Sequence, residues 1–389
     1  MTDAKQVRSL TLYKNSQRIG DLNRTKDGCE IIFVDNVSNK IAYHIKTDQK
    51  ILSYSGTNLP AYFANLLPEG LRLKILIKKI KTSADDMFSL LVEAGSDPVG
   101  DIHFVNQSKK SFEEEAMLPM NFKKFKADLK LGYNFDSVTL AGVQDKISTD
   151  RITIPIRLKN KNTSYILKLA SDDFPSSVEN EFACLQIAKS CGLKVNKTKM
   201  IKDENNQVAL LIERFDRQWD EKNKKLNRLH QEDACQFLNK YPADKYIVSM
   251  QEIADGLSQF SVTPQIDILK LLQLKAFSYL IGNGDLHAKN ISLLQDQFSP
   301  CYDILCTSIY GDEKMALMLD GKNENLKQKN FIDFGIRYNV PALTIESMLN
   351  KLVKNFKKNN HKIFSVAAAQ KKEKFLLLQF EKRMGHLAS

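Results

Sequence analysis

The amino-acid sequence predicts an α+β fold in two lobes, a smaller β-rich one followed by a larger helical one. Three observations predict it. Short strand-like runs dominate residues 7 to 50 and return between Asp145 and Asp216. From Gln231 to Leu280 apolar residues recur at helical spacing, most clearly in "TPQIDILKLLQLKAFSYLI". A polar cluster, "GNGDLHAKN", then interrupts two apolar segments of the helical part.

Taken in order, "RSLTLYKNSQRIGDLNR" reads as a hairpin turning at Lys14–Asn15–Ser16. "EIIFVDN" and "KIAYHI" add strands. "LRLKILIKKI" and "SADDMFSLLVEAG" carry the helical period, and Ser83 followed by Asp85 and Asp86 marks a helix start. The polar stretch at residues 106 to 119 reads as a linker and places a domain boundary nearby. "DKISTDRITIPIRLKN" and "TSYILKLA" read as two strands joined by a turn at Lys159 to Asn162. "SSVENEFACLQIAKSCG" predicts a helix capped by Ser177, with Glu179 and Glu181 in its first turns and Gly192 at its end. "VALLIERFD" is an apolar strand ending in charge. "NFIDFGIRYNV" is expected to turn through Gly335, and residues 345–356 and 373–384 to close the chain as helices.

A chain of 389 residues has room for two or three cores. No run reaches the roughly 18 apolar residues of a membrane span, and the first residues lack the apolar core of a secretory signal. The expected place of work is the cytoplasm. Six scattered cysteines form no CxxC pair, and the six histidines show no metal spacing, so neither zinc nor a disulfide framework is expected. The net charge of +11 favours anionic partners. The lysine-dense end, "KLVKNFKKNNHKIF", reads first as a solubilising face, with a phosphate-facing patch and a protein-docking face as the alternatives.

The polar cluster carries the chemistry. Asp285 can accept a hydroxyl proton, and the Asn290 amide oxygen can help hold a divalent ion, which together suit phosphoryl transfer from ATP. Lys289 can steady the migrating phosphoryl oxygens, while His287 either orients the turn or touches the reacting groups. Asp303, set among apolar residues, would be costly to bury alone; Mg²⁺ shared with Asn290 relieves that cost. Lys168, in an apolar strand, either snorkels to solvent or binds the inner phosphates of ATP, with Glu181 or Glu179 steadying it. "LAGVQDKIS" matches no glycine-rich phosphate motif, yet Gln144 and Lys146 could reach a phosphate from a hairpin tip. Backbone groups near Glu213 to Phe215 could take an adenine edge and Asp216 a ribose hydroxyl, although a plain charged strand end fits equally.

The pieces "NLLPEG", "SLLVEAGSDPVGDI", "LAGVQDKIS", "YILKLA", "VENEFACLQIAKSCGL", "LLIERFDR", "RLHQEDACQ", "IGNGDLHAKN", "YDI" and "KMALMLDGKN" occur in one order from about Lys14 to Lys382. As an ordered set they resemble the HipA family of bacterial serine/threonine kinases, toxins of type II toxin–antitoxin pairs. The resemblance implies a bilobal protein-kinase-like fold, with an N-terminal β-rich subdomain over 1–105, the rest of the N-lobe over 106–215 and an α-helical C-lobe over 216–389. It implies Asp285 as catalytic base, Asn290 and Asp303 as magnesium ligands, Lys168 as ATP lysine, and Glu213 and Phe215 as hinge. Val143, Gln144, Asp145 and Lys146 match the phosphate-covering loop. Family members phosphorylate themselves at a serine just before that loop; here Thr139 stands at the matching position, with Ser137 nearby.

From the resemblance, the expected activity is transfer of the ATP γ-phosphate to a protein hydroxyl, on an aminoacyl-tRNA synthetase and on the chain itself, halting translation. The expected partner is a small helix-turn-helix antitoxin, with DNA reached through it. Two other readings stand beside this one: an ATP-binding docking or co-repressor module, and a kinase redirected to another protein, a small molecule or a lipid.

Overall fold

A computed structural model of the chain describes residues 4–35, 37, 40–56, 59–106, 118–131, 152–157 and 162–388. The chain forms two compact units, one of residues 1–169 and 201–242, the other of 170–200 and 243–389. This division differs from boundaries at 105 and 215: the segment 170–200 joins the helical unit, and 216–242 stays with the β-rich one.

In the first unit, strands β1 (Ser9–Lys14) and β2 (Gln17–Arg24) make the expected hairpin. Lys14 pairs with Gln17, so the turn is Asn15–Ser16, and Asn15 takes the left-handed backbone such a tight turn needs (φ 53°). β3 (Gly28–Phe33) buries every second residue, Cys29, Ile31 and Phe33, as a strand with one core face must. With β4 (Ile51–Ser55) and β5 (Ile102–Val105) these strands form a sheet ordered β4–β3–β2–β1–β5. "KIAYHI" folds into a small hairpin of Lys40–Ala42 against Ile45–Lys46.

Helices α1 (Gly70–Ile80) and α2 (Met87–Ala94) follow the predicted period. The start of α2 is a correction. Its cap is Asp86, not Ser83, because the Asp86 carboxylate accepts from the Ser89 N–H, the Thr82 hydroxyl and the Arg24 guanidinium together. A further helix, α3 (Phe122–Leu131), was not anticipated; the Asp203 carboxylate accepts its Phe122 N–H. The linker at 106–119 and the turn at 159–162 lie almost wholly outside the described residues.

A second sheet is built from β6 (Ile152–Arg157), β7 (Ser164–Leu169) and β9 (Val208–Glu213), antiparallel with β7 central, and β8 (Thr198–Lys202) lies at the β9 edge. One hydrophobic cluster serves both sheets: Leu12, Ile31, Phe63, Leu90, Ile154 and Leu167 all belong to it. Burial of that size is what holds a β-rich unit together.

The second unit is helical: α4 (Ser177–Ser190), α5 (Met250–Phe260), α6 (Pro264–Ile281), α7 (Gln328–Arg337), α8 (Ala342–Asn359) and α9 (Glu373–Leu387). α4 ends as predicted, with Gly192 left-handed just past it (φ 88°). Ser177 is its first residue instead of its cap, since the Ser177 hydroxyl accepts the Ser171 N–H. α5 starts on a reciprocal box of Ser249 and Glu252. α7 runs straight through Gly335, where a turn was expected. A Cβ there would overlap Ile345, so the glycine lets α7 and α8 approach closely. All six cysteines are buried and free. Among the described residues no helix is long and apolar enough to cross a membrane.

Candidate active site

α6 stops at Gly282, which is left-handed (φ 81°) and has no room for a Cβ against the Ser308 hydroxyl. The Gly282 carbonyl accepts from the N–H groups of Thr307 and Ser308 at 2.9 and 3.1 Å. The Gly284 N–H donates to the Thr307 hydroxyl at 2.7 Å, which itself donates to the Asp312 carbonyl. The Ala316 N–H donates to the Gly284 carbonyl at 3.1 Å. The turn is therefore strapped on both sides before Asp285 is reached. A backbone fixed this way holds the Asp285 carboxylate with little reorganisation.

Asp285 is 3 % exposed. Its Oδ1 accepts from the Tyr246 phenol at 2.9 Å, and its own N–H donates to Asn283 Oδ1. The Tyr246 ring stands edge-on to the fully buried His287 ring, 5.1 Å between centroids. The His287 N–H donates to Asn290 Oδ1 at 3.1 Å and the Asn290 N–H returns to the His287 carbonyl at 3.0 Å. That exchange uses one lone pair of the Asn290 amide oxygen and leaves the second for another partner.

Asp303 is 4 % exposed and left-handed (φ 52°), an unusual backbone for a residue with a side chain. Neighbours fix it there. Tyr302 donates to the Lys289 carbonyl at 2.8 Å and lies 2.5 Å from the Ser292 hydroxyl. Cys301 N–H donates to the Lys194 carbonyl at 2.7 Å. Cys306 is clamped by Asn180 of α4, whose Oδ1 accepts its N–H and whose amide donates to its carbonyl. Glu181, next on α4, is fully buried. The structure thus brings Asp285, His287, Lys289 and Asn290 into one turn and ties the Asp303 segment to it.

The remaining predicted residues that are described lie in the first unit, save Glu179, which is partly buried on α4. Lys168 sits on the central strand, opposite Thr153 and Leu210, and is 3 % exposed, so its ammonium does not snorkel to solvent. Glu213 ends β9 opposite Tyr165, and the next N–H, of Arg214, is taken by the Ser164 carbonyl at 2.9 Å. Phe215 is partly buried. Asp216 departs from the ribose reading. Its Oδ1 accepts from Arg214, and its Oδ2 accepts from Arg214, Arg217 and the Gly100 N–H, at 2.7 to 3.0 Å. Burial pushes the Asp216 carboxyl up, but the two guanidinium groups outweigh it and hold it at about 2. With Asp97, which bonds the same two arginines, this carboxylate locks the start of the 216–242 segment.

Val143, Gln144, Asp145, Lys146, Ser137 and Thr139 lie outside the described residues. Sequence reasoning missed Tyr246, Asn180 and Thr307, each of which acts on the site from a distance along the chain. Tyr302 was visible beside Asp303, but nothing local announces its bond to Lys289.

Comparison with known proteins shows what the chain is similar to. Family profiles of the HipA N-terminal domain and the HipA-like C-terminal domain match residues 10–105 and 138–360. The chain is 26 % identical to Y4mE of Sinorhizobium fredii over 352 residues, 83 % of each chain. It is 26 % identical to the serine/threonine-protein kinase toxin HipA of Shewanella oneidensis over 309 residues, 69 % of each. Among solved structures, the Shewanella oneidensis complex of HipA, HipB and operator DNA contains a chain of the same fold, with TM-score 0.71 at 19 % identity, covering 97 % of this chain and 96 % of that one.

Proposed function

The chain belongs to the HipA family of serine/threonine kinase toxins, and from that membership we propose that Asp285, Asn290, Asp303 and Lys168 transfer the γ-phosphate of ATP to a hydroxyl of a protein substrate. The protein is a kinase with the bilobal α+β fold of the HipA type. Kinases of this family use ATP and Mg²⁺. The observation that carries the residue assignment is the Asp285–Asn290 turn, strapped to the Asp303 segment through the Tyr302–Lys289 bond.

The donor set fits the metal. The Asp303 carboxylate and the second lone pair of Asn290 Oδ1 are hard oxygen donors of the kind magnesium takes. When bound, magnesium ATP supplies the phosphoryl group and neutralises the charge developing on it. Asp285 orients the attacking hydroxyl and receives its proton. Tyr246, bonded at Oδ1, turns Oδ2 toward the substrate. Lys168 holds the inner phosphates, with Glu181 as its steadying acid, and Lys289 meets the transferred oxygens. The full burial of His287 against Tyr246 favours an orienting role. The family resemblance assigns the adenine edge to backbone groups near Glu213 and Phe215.

The finer readings follow the family. The target is an aminoacyl-tRNA synthetase, self-modification falls on Thr139 or Ser137, and a small helix-turn-helix antitoxin binds the chain and carries it to DNA. The shared fold with a chain of the Shewanella complex supports that last partner. Residues 1–105 act as a subdomain, which the match over 10–105 supports. The test is incubation with ATP, magnesium and a cytoplasmic lysate, followed by mapping of every new phosphosite, with Asp285→Asn as control. Phosphosites on a synthetase and on Thr139 or Ser137 that require Asp285 are expected. Identical phosphosites with both proteins would end the proposal.

A further inference from the structure

Arg72, on α1, is a buried charge that the fold does not balance. It is 2 % exposed, and none of its three guanidinium nitrogens has a hydrogen-bond partner. Burial pulls its pKa down from 12.5 to about 9. Other buried arginines differ. Arg214 and Arg217 meet Asp97 and Asp216, and Arg383 donates to the carbonyls of Tyr279 and Glu313. At neutral pH a guanidinium keeps its proton even when buried, and leaving it uncompensated is destabilising. A small anion would balance such a group.

A second feature lies on the same helix. α1 has eleven residues, no acidic residue in its first turn, and no side-chain cap from Glu69. Its first residue, Gly70, is left-handed (φ 59°). The opening N–H groups carry the positive end of the helix dipole. Arg72 is the third residue of the helix, and helical side chains lean back toward the N-terminus. Guanidinium donors and first-turn donors on the same turn of helix could share one ligand rich in acceptors. A tetrahedral oxyanion meets both, as phosphates do at helix N-termini. Its enclosure selects a small free ion over a macromolecule.

We propose that Arg72 and the first turn of α1 form a binding site for a phosphate-class oxyanion. The site is independent of phosphoryl transfer, so it is tested in an Asp285→Asn background, where the chain makes no phosphate of its own. The protein is dialysed free of phosphate and its Tm followed as inorganic phosphate is added, with chloride at matched ionic strength as control. Phosphate should raise Tm by roughly 2 °C or more where chloride does not. Arg72→Met should abolish that rise while melting no lower than its parent without phosphate, because the uncompensated charge is gone. A rise that survives Arg72→Met belongs elsewhere and overturns the proposal, as does no rise in the parent. If Arg72→Met does not fold, Arg72→Lys decides: loss of the planar fork should move the phosphate midpoint up at least threefold, and an unchanged midpoint overturns the site.

Discussion

The Tyr302 phenol donates to the Lys289 carbonyl at 2.8 Å, and this bond joins the residues just before the two proposed magnesium ligands, Asn290 and Asp303. Tyr302 touches neither ligand oxygen in this role; it sets the distance between their backbones. Tyr302→Phe removes the donor and strands a carbonyl, at a stability cost of about 1 kcal/mol. The functional loss should be selective. The magnesium concentration for half-maximal transfer should rise several-fold, with KM for protein substrate unchanged. A uniform loss of kcat at saturating magnesium would assign Tyr302 a structural role alone.

Asp285 and Tyr246 should separate in kinetics. Asp285→Asn removes the base and should lower transfer at least 100-fold while leaving nucleotide affinity nearly intact. Tyr246→Phe keeps the base but frees its Oδ1 to turn, so kcat should fall a few-fold with KM for ATP unchanged. Transfer by Asp285→Asn at the native rate would remove it as base. An unchanged kcat in Tyr246→Phe would leave the phenol without a positioning role.

Asp303 offers a charge-only substitution. Asn tolerates the left-handed backbone almost as readily as Asp, so Asp303→Asn should fold with φ near the native 52°. The carboxylate charge is lost while the backbone is kept, and the variant should remain folded. Activity should fall by two orders of magnitude or more, with most of the loss in magnesium dependence. A melting transition several degrees lower, with normal magnesium response, would make Asp303 a structural anchor.

The parts of this picture legible in the sequence are those decided by neighbours along the chain. The Asn15 turn follows from local preference, and the Asp285–Asn290 turn closes within its own residues through His287. Gly335 misled because glycine marks a turn and a close helix approach alike, and Ile345, which decides between them, is ten residues away. Ser83 was the expected helix start, and Asp86 takes the cap with help from Arg24, far upstream. Tyr246 was invisible for the same reason, since 39 residues separate it from Asp285. Lys168 could not be told from a snorkelling lysine until its strand proved central.

The bonds at Asp216 have their own consequence. If Asp216 is the hub of Arg214, Arg217 and Gly100, its loss leaves two buried guanidinium groups short of charge. Asp216→Ala should then cost about 3–5 kcal/mol by denaturant unfolding. Where the variant remains folded, its preference for ATP over 2′-deoxy-ATP should match the native one. Loss of that preference with little loss of stability would restore the ribose reading.

His230 supplies a pH dependence with a definite sign. Its Nδ1 lies 3.1 Å from Asp101 and its Nε2 3.0 Å from Glu232, whose Oε1 also accepts the Tyr43 N–H. Two carboxylates facing both ring nitrogens require a doubly protonated imidazolium. Burial pulls its pKa down, but the bonds to Asp101 and Glu232 outweigh it and raise it from 6.5 to about 9. Between those values the folded chain binds a proton that the unfolded chain releases, so stability falls as pH rises. The contribution is fully present below about pH 6.5 and lost on passing through about pH 9. His230→Gln should therefore cost about 3 kcal/mol at pH 6. By pH 9.5 most of that difference from the parent should have disappeared. Equal costs at both pH values, measured by urea unfolding of parent and variant side by side, would show that the ring is held neutral and that another donor balances Asp101 and Glu232.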